Sequence, residues 1–222
     1  MLDQLFPNVV WDSFWNAVSE TLYMVVIATA FTFVIGILLG LLLYLTARGN
    51  PWQNSIVYGI VGAIVNVFRA IPFIILILLL LPITKFITGT IFGPSAALPA
   101  LIIGAAPFYA RLVEIGLREV DRGVVEAAEA MVSSNRHIVF KVLLPESMPA
   151  LVSGITVTMV ALIGFTAMAG IIGGGGLGTF AYQQGFQRNA GDVMMIATIA
   201  IVAIVFLFQW IGDFITNRLD KR

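Results

Sequence analysis

The sequence predicts an all-α, polytopic membrane protein with five spans. Three observations carry that prediction. First, 59% of its 222 residues are hydrophobic and 11% are charged, whereas about a quarter of a soluble domain is charged. Second, the apolar excess sits in long stretches without Asp, Glu, Lys or Arg. These lie between Glu20 and Arg48, Arg69 and Lys85, Lys85 and Arg111, Glu146 and Arg188, and Asp192 and Asp213. A membrane helix needs about 20 mostly apolar residues, so each stretch hosts one, the second by using its flanks. Third, the stretches do not alternate in polarity as the strands of a membrane barrel do. A helical bundle is the remaining solution that pairs every backbone group in lipid.

Taken in order, residues 1–16 precede the first span, which covers about 17–46. Glu20 and Thr21 stand at its start. Gly36 and Gly40 form a GxxxG, which either lets a neighbouring helix approach closely or is ordinary membrane-helix composition. Arg48-Gly49-Asn50-Pro51 ends the span. The segment 53–68 is apolar with scattered Ser55, Tyr58 and Asn66; it either lies at the interface or joins the second span, placed at about 71–86. The third span, about 95–117, contains Pro99 and Pro107, and interior prolines kink helices. Near its end Arg111, Glu114 and Arg118 share one face by their i, i+3 and i+4 spacing. A polar loop covers 118–146. The fourth span, about 148–172, carries Met168 near its middle, beside Gly164 and Gly170, and ends in a glycine run, Gly173 to Gly178. The fifth covers about 193–215, and 216–222 form a tail.

Five spans put the two termini on opposite sides. One side then carries Arg48, Arg111, Arg118, Arg122, Arg136, Lys141, Arg218, Lys221 and Arg222, with Arg69 at the start of the second span; the other carries Lys85 and Arg188. The excess of Lys and Arg on cytoplasmic loops puts the N-terminus outside, the loop 118–146 and the C-terminus in the cytoplasm, and the glycine run at the outer face of the cell membrane. Residues 1–16 carry no Lys or Arg, unlike the basic start of a signal peptide, so the first span is expected to serve as the insertion signal. Arg69, Arg111 and Glu114 fall near the membrane surface, where snorkelling accommodates them, and are read as structural charges.

Several function classes are disfavoured. There is no cysteine and a single histidine, His137, so a transition-metal site is not expected. Zero formal net charge gives no reason to expect a nucleic-acid partner. Gly173, Gly175 and Gly178 match GxGxxG, but that motif binds a dinucleotide only between a strand and a helix, and here a membrane helix comes first. No GxxxxGK[ST] occurs, so the chain supplies no P-loop. No Ser, His and Asp constellation points to catalysis. The charge-free spans also argue against a stand-alone secondary transporter or channel, which would need titratable groups within the bilayer.

Within the polar loop, Val124, Ala127, Ala128 and Met131 fall at i, i+3, i+4 and i+7, an apolar stripe on a short helix. It either docks on another protein or packs on the chain's own spans. Glu126-Ala127-Ala128 followed by Leu144-Pro145 resembles the EAA loop of type I ABC importer permeases. The family has a glycine where this chain has Val132. Valine disfavours the left-handed turn that commonly ends a helix there, so either Asn135 takes that turn or the turn is strained. Arg69 to Leu76, Gly104 to Arg111, Lys141 to Glu146, and Ala167 to Gly170 leading to Gly175-Gly176-Leu177-Gly178 are similar to permeases of methionine importers.

The resemblance implies a type I ABC importer permease fold and a transport subunit, not an enzyme. It implies a homodimer, two cytoplasmic ATPase subunits that bind ATP and Mg, and an extracytoplasmic substrate-binding protein; the chain itself holds no cofactor. It also implies that Glu126, Ala127, Ala128, Met131 and Val132 form the coupling helix that docks on the ATPase, and that Met168 belongs to an apolar gate where two copies meet. The implied cargo is L- or D-methionine, moved by alternating access. An ABC permease for another amino acid or small solute is the nearest alternative.

Overall fold

The first charge-free stretch forms one continuous helix, α1 (Trp11–Thr46), 36 residues long. At 1.5 Å per residue it reaches about 54 Å, more than the roughly 30 Å of a bilayer core, and begins well before the expected residue 17. The computed structural model describes residues 6–50, 52–131 and 135–220. All regular elements among the described residues are helical. After α1 come α2 (Ser55–Ala70), α3 (Phe73–Thr88), α4 (Pro94–Arg118) and α5 (Arg122–Ala130). A widened π-helical segment, Ile138–Leu143, runs straight into α6 (Leu144–Ile171). A short α7 (Gly176–Thr179) and a second π-helical segment, Phe180–Phe186, lead to α8 (Gly191–Leu219).

Among the described residues, four helical stretches are individually long and apolar enough to cross a membrane: Trp11–Thr46, Pro94–Arg118, Ile138–Ile171 and Gly191–Leu219. The fifth crossing depends on α2 and α3, which qualify only as a pair and meet at a 110° bend. The bend follows from Pro72. The residue before a proline avoids the α region, and Ile71 is extended, with ψ 124°. α3 alone is about 24 Å long. It corresponds to the expected second span, while 53–68, left open in the sequence, becomes a separate helix set steeply to it.

Small residues let the helices approach. A Cβ on Gly40 would stand 2.7 Å from the carbonyl oxygen of Ala110, and one on Gly36 would press on Tyr109, so the GxxxG is the contact face of α1 against α4. Gly116 meets Ala150 in the same way, its Cβ falling 2.9 Å from that methyl. Close approach of small residues replaces the hydrophobic drive that lipid removes. Tyr109 is fully buried and donates its hydroxyl to the carbonyl of Leu151 at 3.1 Å. Around it Leu41, Leu45, Val113, Leu117, Ile138 and Leu143 form a cluster at one end of the bundle. At the other end Phe14, Ala17, Ile163, Leu177, Phe180 and Val193 form another. The ends of α1 and α4 and the start of α6 thus share one face, and the start of α8 lies at the opposite one.

Candidate functional site

Two regions carry the expected functional residues, one at each end of the bundle. The first is α5 with the charges beneath it. Val125 and Ala128 pack on the cluster around Tyr109. Val124, Glu126, Ala127 and Met131 are exposed, Met131 by 80%. The expected stripe is therefore split. Ala128 turns inward with Val125, which the stripe did not include, and Val124, Ala127 and Met131 remain as an outward apolar face. Val132 lies outside the described residues.

Under α5, the buried carboxylate of Glu114, 1% exposed, pairs with both Arg111 and Arg118 on its own helix. Arg118 reaches it at 2.5 Å, and Tyr58 of α2 donates its hydroxyl to it at 3.3 Å. Arg118 also donates to the Tyr58 hydroxyl at 3.3 Å, and Arg111 to the side-chain oxygen of Asn66 at 3.1 Å. A buried carboxylate survives only with such partners. The i, i+3, i+4 spacing announced the ion pairs. Tyr58 and Asn66 were visible only as polar residues in an apolar segment. Arg69 does not join this network: it is exposed in the last turn of α2, where a cation suits the helix dipole.

The second region is the end of α6. Met168 lies one turn from its C-terminus, not at mid-span as expected, and is 43% exposed. It belongs to a face of α6 that the rest of the chain leaves uncovered, with Val157, Gly164 and Ile171. Behind it the last turn is clamped to α7, since a Cβ on Gly170 would come within 2.6 Å of Gly178 Cα. The intervening turn uses positive φ at Gly173, Gly175 and Gly176, a conformation cheap only for glycine. The N–H of Gly176 donates to the Glu20 carboxylate at 2.6 Å, and that of Leu177 to the Thr21 hydroxyl at 2.8 Å. Of the amides in the glycine run, those of Gly176 and Leu177 are thus given to α1, and those of Gly173 and Gly174 to the last turn of α6. Glu20 and Thr21 were noted in the sequence only as the start of a span. No local pattern announces a partner 156 residues away.

Residues 36–222 match the model of the binding-protein-dependent transport system inner membrane component family. The chain belongs to that family. The family makes it a membrane transport component. Among its relatives, the chain is 62% identical to the methionine import system permease protein MetP of Bacillus subtilis, over the whole of both chains. It is 47% identical to a probable D-methionine transport system permease protein MetI of Pasteurella multocida, over 96% of this chain and 98% of that one. Two solved structures of the MetNI methionine ABC transporter in inward-facing conformations superpose with TM-scores of 0.92 and 0.90. They are 44% and 45% identical and cover 94% and 92% of this chain, and 97% and 94% of theirs. The type I importer permease fold is therefore the fold of this family member.

Proposed function

We propose that this chain is the permease subunit of an ATP-driven methionine importer in the cell inner membrane. Near-full-length similarity to methionine permeases supports the cargo. The observation that carries the mechanism is α5: a short helix, anchored by Val125 and Ala128, that offers Val124, Ala127 and Met131 outward. An ATPase subunit seated on that face would receive Glu126, Ala127 and Met131, while Ala128 serves as anchor. Val132 follows in sequence as part of the same coupling segment. The Arg and Lys distribution supports a cytoplasmic position for this face and the C-terminus, with the N-terminus outside. ATP and Mg belong to the two ATPase partners, and a binding protein delivers substrate from outside.

The uncovered face of α6 supports the pairing of two copies. Gly164 has open space around it, so a second helix can come close there, and Met168 beside it supplies a flexible apolar plug. Movement of α5 on ATP binding, passed into α4 through the cluster in which Val125 and Ala128 pack with Val113 and Leu117, would open the path alternately to each side.

The test is copurification and catalysis. The chain is expected to copurify with an ATPase subunit, and the reconstituted complex, supplied with its binding protein, to respond to methionine above other amino acids in its rate of ATP hydrolysis. A complex that responds to a different amino acid and not to methionine refutes the cargo. A chain that transports with no ATPase bound refutes the mechanism.

A further inference from the structure

A cavity of about 670 Å³ opens between the end of α1, the start of α2 and α5. That size suits a bound small molecule or headgroup. Its polar lining includes Arg48, Asn50, Ser55, Tyr58, Arg118 and Glu126. Arg118 is held by Glu114, but Arg111 shares that carboxylate, so the three together retain one positive charge. Arg48 is exposed and adds another; Glu126 offsets one of the two. The cavity is therefore net positive. Tyr58 gives its hydroxyl to Glu114 and Asn50 its side-chain amide to the Tyr44 carbonyl, so Arg48, Ser55 and the remaining N–H groups of Arg118 are the donors that suit phosphate oxygens.

The apolar surroundings identify the source of the phosphate. α2 leaves the cavity at Ser55 and carries Ile56, Ile60, Ile64 and Val67, all more than half exposed. Their i, i+4, i+8, i+11 spacing makes one stripe, on the side opposite buried Gly62 and Val65. A helix with a polar entry and an apolar outer stripe, set steeply to the next helix, is built for a bilayer interface. We propose that this cavity binds the phosphate headgroup of an anionic phospholipid, with its acyl chains along the Ile56–Val67 stripe. The lipid would bridge α1, α2 and α5, so anionic lipid would stiffen the seat of the coupling helix. The leaflet involved rests on the cytoplasmic assignment of this face. The binding itself does not, because the test presents the lipid on both sides.

The permease with its ATPase partner is extracted from vesicles of equal phosphatidylglycerol and phosphatidylcholine and examined by native mass spectrometry. Wild type is expected to retain phosphatidylglycerol selectively. Arg48→Gln, on an exposed turn, should lower retention about fivefold, the effect of one basic residue near an anionic surface, and Arg48→Lys should restore most of it. Inorganic phosphate at millimolar concentration should not displace the lipid; displacement would mean a free-anion site and overturn the proposal. Unchanged retention in Arg48→Gln would also overturn it. So would a loss of ATPase copurification with retention unaffected, which would make Arg48 a contact to the partner protein. Methionine-dependent ATP hydrolysis is read in the same preparations after the binding protein is added. Arg48-dependent lipid retention without a methionine response would uphold the lipid site while refuting the methionine cargo.

Discussion

Glu114 shows how much one side chain can organise. Its carboxylate is buried, yet both neighbouring arginines and Tyr58 reach it. Removing its charge leaves Arg111 and Arg118, 25% and 52% exposed, without their anion, and losing charge-assisted hydrogen bonds costs about 1.5–3 kcal/mol. Glu114→Gln should lower the thermal unfolding midpoint of the detergent-solubilised complex clearly, while Arg69→Gln, on an exposed side chain outside the network, should leave it nearly unchanged. Equal midpoints for Glu114→Gln and wild type would show that the network contributes nothing. Glu20 acts at the other end of the bundle. Without its carboxylate the Gly176 N–H loses its acceptor, which costs about 1–3 kcal/mol. Glu20→Ala should therefore speed hydrogen exchange at Gly176 by about tenfold or more, and should do so more than Glu20→Gln, which keeps an acceptor oxygen. Unaltered exchange in both variants would mean that other contacts hold the glycine turn.

Among the elements, α5 separates two jobs that its sequence runs together. Val125 and Ala128 attach it to the bundle, and Val124, Ala127 and Met131 face away. Val125→Arg should destabilise the permease by placing a charge in the cluster around Tyr109. Ala127→Arg should leave its melting unchanged and abolish ATPase copurification. If Ala127→Arg melted early and still held the ATPase, the outward face would have been assigned to the wrong side. The apolar stripe was legible from helical spacing, but which edge of it turns inward was not, because that depends on Leu117, Ile138 and Leu143 arriving from elsewhere in the chain. The bend at Ile71-Pro72 is a similar case. A proline announces a break, yet nothing local states that the two limbs diverge by 110°.

At the scale of the whole molecule, the long spans were readable because hydrophobicity is a local property and charge-free runs mark it directly. α1, α4, α6 and α8 fall where those runs are, with longer ends at the first and last. Contacts between distant segments were not readable: Gly36 and Gly40 against α4, and Glu20 and Thr21 against the glycine turn, depend on the assembled bundle. Met168 needed no such contact to be placed: the expected span 148–172 already sets residue 168 one turn from its end, where the structure has it. On the proposed pairing of two copies, Met168→Ala should raise ATP hydrolysis in the absence of substrate and let small solutes leak through proteoliposomes; no change in either would remove Met168 from the gate. The most direct test of the central claim is uptake of radiolabelled methionine into proteoliposomes holding the permease, its ATPase subunits and the binding protein. Uptake that requires hydrolysable ATP, is competed by unlabelled methionine and is lost in Ala127→Arg is the predicted result. Methionine uptake that proceeds without ATP or survives Ala127→Arg would contradict coupling through α5, and no methionine uptake at all would contradict the cargo.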